Sequence, residues 1–309
     1  MLYRIDFRAM GTNMIAMLEC PSPVAPEELT QVPNWFEEWE QSLSRFRKDS
    51  ELNQLNHSAG WPIHVSQTMW DVFQAAIQAE IESDGLVRAT VLESMLNIGY
   101  DRNFDDLPRE RSSENLSIWN MPASLAEVSL DEKNRTICLP ADVKLDFGGV
   151  AKGWAAQQAA QKLAHFGPAL VSAGGDIAIT DELPGPELWA VTIDDPSNPG
   201  EIIANLGLGA CGIATSGTDY RRWKMGGRWN HHIVDPRTGQ SAQTDLVAAT
   251  IVAPNSMQAE MAAKTVIILG SQRGIEWINA RPEFSAFLIT EANGEVYLSN
   301  HMHDFFWRS

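Results

Sequence analysis

Long apolar runs are missing from this 309-residue chain. None reaches the roughly 18 consecutive apolar positions of a membrane span, so no membrane insertion is expected. Residues 1–18 alternate like a strand and lack the apolar core and small-residue cleavage site of a secretory signal. No cysteine stands at the front for lipid attachment, and the expected compartment is the cytoplasm. Cysteine is scarce: Cys20, Cys138 and Cys211 are widely spaced and odd in number. That excludes a disulfide framework and a C-x-x-C metal pair, leaving buried or indifferent thiols. Positive charge is in deficit too. Lys and Arg total 23 against 40 Asp and Glu, a net charge of −17, which argues against nucleic acid or an anionic membrane as partner. The deficit also constrains any phosphate ligand. An uncompensated like charge about 4 Å away costs roughly 4 kcal/mol at an effective dielectric near 20. A phosphate site here must therefore be locally cationic, through Lys, Arg, a helix N-terminus or a metal.

What is present is ordinary in bulk, with 44% hydrophobic and 20% charged residues, as in globular proteins generally. The chain reads as one domain over 1–309, helix-rich to about residue 126 and strand-rich from about 127. Residues 2–19 read as strands broken at Met10-Gly11-Thr12, where glycine signals a bulge or a close backbone approach. Pro33 at a first helical position, with Trp35, Trp39 and Leu43 at helical spacing, predicts a helix over 33–46. Ser66 is placed to cap a helix running to Glu82, with Trp70, Phe73, Ile77 and Ile81 on one stripe and Asp84-Gly85 as its stop. Residues 105–126 read as a polar surface loop or irregular crossing. A hairpin follows over 128–139. Strand-like runs then recur at 169–173, 188–193, 201–208, 211–215, 231–235, 247–253, 284–290 and 295–299, with helices at 150–166, 256–269 and 272–279. Without regular βαβ alternation, this order predicts an α+β fold.

Several segments carry chemistry beside a plainer reading. Lys144-Leu-Asp-Phe-Gly-Gly-Val-Ala-Lys-Gly-Trp-Ala155 is a strand, a double glycine and a helix start. Its spacing is neither a Rossmann fingerprint nor a P-loop, and it stands equally as a tight turn or an anion site. Lys152 in the first helical turn opposes the helix dipole, which makes sense if an anion lies in front of it. In Ser172-Ala-Gly-Gly-Asp-Ile177, Asp176 either orients a ligand or closes an Asx turn. Met10 packs either on an aromatic ligand or in the core. Ala214-Thr-Ser-Gly-Thr-Asp-Tyr-Arg-Arg222 followed by His232-Ile-Val-Asp-Pro-Arg-Thr-Gly239 supplies hydroxyls, arginines and a histidine, which suit phosphate binding and proton transfer or simply a polar hairpin. His301 and His303 in the tail are insufficient for a metal site and fit a packed C-terminal strand or a frayed end.

Met-Gly-Thr at 10–12, Ser44-Arg-Phe46 with Ser50-Glu-Leu-Asn-Gln-Leu-Asn56, Asp84-Gly85 with Thr90-Val91, Asp146-Phe-Gly-Gly-Val-Ala-Lys-Gly-Trp-Ala155, Ala173-Gly-Gly-Asp176, Ala214-Thr-Ser-Gly217 and His232–Gly239 occur in one order. That series resembles the FAD:protein FMN transferases, the ApbE flavin transferase family, from about residue 8 to 290. The resemblance implies a T-fold-like α+β scaffold of mixed and antiparallel sheets with packed helices around a central FAD cleft. It implies an enzyme that splits FAD with Mg²⁺, attaches FMN to a Ser or Thr of an acceptor flavoprotein and releases AMP. By resemblance, Met10, Gly85, Leu86, Val87 and Thr90 line the flavin, Asp146, Lys152 and Asp176 hold FAD, and the Val234 backbone lies beside it. His232 stands as the general base. The Gly149 carbonyl and the frame positions of Glu260 and Lys264 face the metal.

Two departures stand out. The family carries Asp and, four residues on, Thr on a late helix; here Glu260 and Lys264 occupy those positions. They read either as an i,i+4 helix pair worth roughly 0.2–0.5 kcal/mol or as a lysine occupying part of the metal site. A lysine brings one positive charge where Mg²⁺ brings two, and no Lewis-acid coordination. Arg88-Ala89 stands where many members carry Asp-Pro. The departures open two alternatives to transfer: a module that binds FAD without transferring it, and a pyrophosphatase that uses water as acceptor.

Overall fold

A computed structural model describes residues 1–112, 121–198 and 200–307. They form two compact units of interleaved sequence: residues 1–36, 152–219 and 244–309 in one, and 37–151 and 220–243 in the other. The architecture is α+β with antiparallel sheets. Among the described residues, no helix is long and apolar enough to cross a membrane.

The first unit is built on an eight-stranded sheet whose spatial order follows the chain. Its strands are Leu2–Ala9, Thr12–Glu19, Ala169–Ala173, Asp176–Ile179, Cys211–Gly217, Leu246–Ala253, Ser285–Thr290 and Val296–Leu298. All neighbours are antiparallel. Period-two alternation sorts the side chains. Leu170, Ile213, Val252 and Phe287 join Trp189, Leu206 and Leu208 of the ribbon Trp189–Asp194/Ile202–Leu208 in one apolar cluster. The helices Ser256–Leu269 and Ser271–Asn279 pack on the sheet as well. With layers over it, Leu246–Ala253 is buried at every position, which explains why its sequence is apolar but for Thr250.

The second unit gathers the helices Glu51–His57, Gln67–Glu82 and Leu92–Asn97 with short ribbons. Ser66 accepts from the Met69 amide and caps its helix as predicted. Met95, Ile98, Tyr100, Leu107, Trp223 and Val234 form one apolar cluster in it. The hairpin of Ser129–Asp131 with Thr136–Cys138 is present.

Several expectations needed correction. The first helix runs Glu27–Leu43, with Pro33 inside it and not at its start. Leu29, Val32, Phe36, Trp39 and Leu43 are all buried on one stripe, and burial at about 1.5–3 kcal/mol each outweighs a mid-helix proline at about 3 kcal/mol. Of the predicted stripe on Gln67–Glu82, Trp70 and Phe73 are buried, but the buried face also takes in Met69, Val72, Ala76 and Ala79 and leaves Ile81 exposed. Met10-Gly11 is a two-residue hairpin turn and not a bulge: Ala9 faces Thr12, and both turn residues have positive φ. The 231–235 run breaks at His232, between Arg228–His231 and Val234–Asp235. Within 105–126, Glu110–Arg111 pairs in parallel with Lys224–Met225; residues 113–120 lie outside the described residues. The tail forms a 3-10 turn over Met302–Phe305 with Met302 buried, not a strand or a frayed end.

Burial pushes the Cys211 thiol up to about 12, so it stays protonated at neutral pH. Iodoacetamide at pH 8 is expected to leave Cys211 unlabelled in the folded protein and to label it in urea, read by peptide mass spectrometry; labelling in both states would contradict the burial.

Candidate functional site

In the first unit, chemistry collects at one end of the large sheet. Gly174-Gly175 is a two-residue turn between Ala169–Ala173 and Asp176–Ile179, with both φ values positive. A Cβ on Gly174 would lie 2.5 Å from the Thr12 side chain, so glycine there lets the Met10-Gly11 turn and the Gly174-Gly175 turn sit side by side. Asp176 does not close an Asx turn. It opens its strand, 1% exposed, and pairs with Lys152 from the first turn of Ala151–Leu163. The anion in front of Lys152 is therefore the protein's own carboxylate.

Glu260, fully buried in Ser256–Leu269, completes the cluster. Its Oε1 accepts from Lys264 Nζ at 2.8 Å and lies 3.8 Å from Lys152 Nζ, while its Oε2 accepts from the Gly153 amide at 2.8 Å. Ser256 Oγ donates to the Gly153 carbonyl at 2.7 Å, and a Cβ at Gly153 would meet the Ser256 carbonyl at 2.8 Å. Glycine is what lets the two helices approach this closely. Burial lifts Asp176 above the usual carboxylate range despite Lys152. Burial also acts to raise Glu260, but Lys264 and then Lys152 outweigh it and hold it below its ordinary value. Asp176 Oδ1 is buried and has no hydrogen-bond partner among the described residues.

In the second unit, the Asp146 amide donates to the Ala89 carbonyl at 2.7 Å, bringing the 85–90 segment to the double-glycine turn. Asp146 Oδ1 accepts from the Gly148 amide at 2.7 Å and Oδ2 is ion-paired with Arg45. Both side chains are buried, and the Arg45 guanidinium lies over the Phe46 and Tyr100 rings at 4.2 and 4.7 Å. Gly149 occupies the turn that leads into the next helix. Thr90 Oγ1 donates to the Ala123 carbonyl, so its hydroxyl braces the segment. Arg88 donates to the carbonyls of Gly85 and Pro122 and lies 3.7 Å from Glu80. Leu86 and Val87 are buried.

His232 is half-buried at the bend. Its neighbour His231 accepts the Ile233 amide at Nδ1, so Nε2–H donates to the Ala242 carbonyl at 3.0 Å. Asp235 is held by the Arg237 amide and guanidinium, which fixes the Asp-Pro-Arg-Thr-Gly turn after it. Val234 packs beside Tyr100 and Trp223.

The structure thus joins Lys152, Asp176, Glu260 and Lys264, and separately joins Ala89, Asp146, Arg45 and Tyr100. Sequence reasoning missed Arg45 and Ser256 as positioning residues. The Ser-Arg-Phe motif held the first, without indicating a partner about a hundred residues away.

The Mg²⁺ implied by the resemblance does not suit this donor set. Two ammonium groups neutralise the two carboxylates, and both Glu260 oxygens are engaged. Among the described residues, no group of three His, Cys, Asp or Glu is placed to hold a metal ion. Asp176 Oδ1 is the one open carboxylate oxygen of the four, and a single oxygen does not offset the reluctant dehydration of a small dication.

An α+β fold with a lysine-carboxylate cluster where two helices meet the start of a sheet strand defines the class. The pattern of the ApbE family matches residues 10–288, and the chain belongs to that family. It is 26% identical to the FAD:protein FMN transferase of Haemophilus influenzae, over 95% of this chain and 88% of that one. It is 28% identical to the one from Treponema pallidum, over 87% and 78%. The fold matches the crystal structure of the ApbE protein from Thermotoga maritima with a TM-score of 0.86 at 21% identity, covering both chains completely. It matches the flavinyl transferase ApbE of Pseudomonas stutzeri with a TM-score of 0.81 at 18% identity, over 100% and 98%.

Proposed function

We propose that this protein is an FAD:protein FMN transferase. The observation that carries the reading is the family match over residues 10–288, supported by relatives of that activity along nearly the whole chain. The acceptor is a flavoprotein hydroxyl of Ser or Thr, and the scaffold is T-fold-like. In this reading the hydroxyl oxygen attacks the phosphorus of the FMN half, the bond to the AMP phosphate breaks, and AMP leaves. His232 takes the hydroxyl proton, while Lys152 meets the pyrophosphate charge. Met10 and the Gly85–Thr90 segment face the flavin, and Asp146 shapes the glycine turn through its bond to the Gly148 amide.

Glu260 and Lys264 favour one second reading, FAD binding without transfer. Incubation with FAD, with and without an acceptor flavoprotein, separates the two. Protein-bound FMN together with AMP supports transfer. FMN and AMP without bound flavin indicate hydrolysis, and tight FAD binding with no AMP indicates a carrier.

Lys152→Ala is expected to weaken FAD roughly 10–100-fold and riboflavin little, since a charge-assisted bond to phosphate is worth about 1.5–3 kcal/mol. Fluorescence titration with both ligands checks this, and equal losses would assign Lys152 a structural role.

A further inference from the structure

We propose that Lys264, seated on Glu260, replaces a divalent cation in this chain, so that the diphosphate of its ligand is held by ammonium groups and binds without metal. The inference rests on FAD as the ligand, and adds how its charge is met.

The geometry is layered. The carboxylates form the floor, with Glu260 0% and Asp176 1% exposed, whereas Lys264 and Lys152 are 12% and 21% exposed. An approaching ligand therefore meets ammonium groups first. An anion finds donors there; a dication must pass two like charges to reach four carboxylate oxygens, of which three are already bonded to lysine or to the Gly153 amide and Asp176 Oδ1 alone is open. The Lys264 ammonium carries three N–H donors, and its bond to Glu260 does not exhaust them. Asp176 Oδ1, buried without a partner, is an acceptor that a bound ligand's hydroxyl or a water could satisfy. The i,i+4 spacing of Glu260 and Lys264 on one helix face fixes the ammonium in place. Glu260 is in turn fixed by the Gly153 amide, so the lysine is held by the same contact that joins the two helices.

Two measurements on the unaltered protein test this. Flavin fluorescence titration should give FAD affinities in EDTA and in Mg²⁺ that agree within a few-fold. Mn²⁺ added to the protein alone should keep the EPR signal of the free ion. Lys264→Met should weaken FAD in EDTA roughly 10–100-fold, from the loss of one charge-assisted bond, with Mg²⁺ restoring part of the loss because Glu260 is released. The proposal is overturned if the unaltered protein needs Mg²⁺ for FAD, if it binds Mn²⁺ alone, or if folded Lys264→Met binds FAD normally in EDTA. Inorganic pyrophosphate keeps the two ideas apart. Thermal stabilisation by pyrophosphate in EDTA, lost in Lys264→Met, supports the ammonium site even if FAD fails to bind under any condition, which would sink the transferase reading alone. No stabilisation by either ligand in EDTA overturns the proposal.

Discussion

Replacing His232 with alanine is expected to lower FMN transfer roughly 10²–10⁴-fold, the usual contribution of a positioned general base, while FAD affinity stays within a few-fold. Imidazole is the side chain that ordinarily titrates near neutral pH, so it can accept a hydroxyl proton and release it again. Of the two adjacent histidines, only one suits the task. His231 is buried and fixed between the Ile233 amide and the Ala242 carbonyl. Its accepting nitrogen is already used, and its role is to hold the bend. His232 follows at that bend, half-buried, just before the turn locked by Asp235 and Arg237. Single-turnover formation of protein-bound flavin is the measurement, with AMP as second product. A His232→Ala protein that transfers FMN at the normal rate would remove this residue from the chemistry.

Arg45→Met is expected to destabilise the protein by about 3–5 kcal/mol, because it leaves the buried Asp146 carboxylate without its counter-charge. The loss includes the guanidinium contacts with Phe46 and Tyr100. Asp146 cannot relax into solvent, since its other oxygen holds the Gly148 amide. Asn retains an acceptor for that amide and carries no charge, so Arg45→Met/Asp146→Asn should be more stable than Arg45→Met alone. Denaturant midpoints of the single and double variants give the coupling directly. A single variant within about 1 kcal/mol of the parent would show the pair to be solvated.

Much of the secondary structure was legible because its signals are local. Ser66 before an apolar stripe, Asp84-Gly85 after it, and Gly174-Gly175 between apolar runs are decided by neighbours in sequence. Pro33 misled for the complementary reason: its local meaning is a helix start, but the stripe from Leu29 to Leu43 is stabilised by burial that no local rule sees. The candidate site shows the same limit. Lys152 looked like a cation awaiting an anion, and the protein supplies that anion from Asp176, 24 positions on. Glu260 and Lys264 were visible as a pair, but the Gly153 amide that anchors Glu260 lies 107 residues earlier. Arg45 was part of a recognised motif, and only the fold reveals that its charge serves Asp146.

The interleaving of the two units bears on how the chain is made. The hairpin Leu2–Ala9/Thr12–Glu19 pairs next with Ala169–Ala173, so its outer edge waits for about 150 further residues to be synthesised. At about 5–20 residues per second that is a delay of roughly 8–30 s. The nascent chain thus carries an unpaired strand edge through about half of its translation. The charges of Arg4, Asp6 and Arg8 on the opposite strand protect only the other side of that hairpin. Chaperone demand during synthesis should therefore peak before residue 169 emerges and fall once that strand is available.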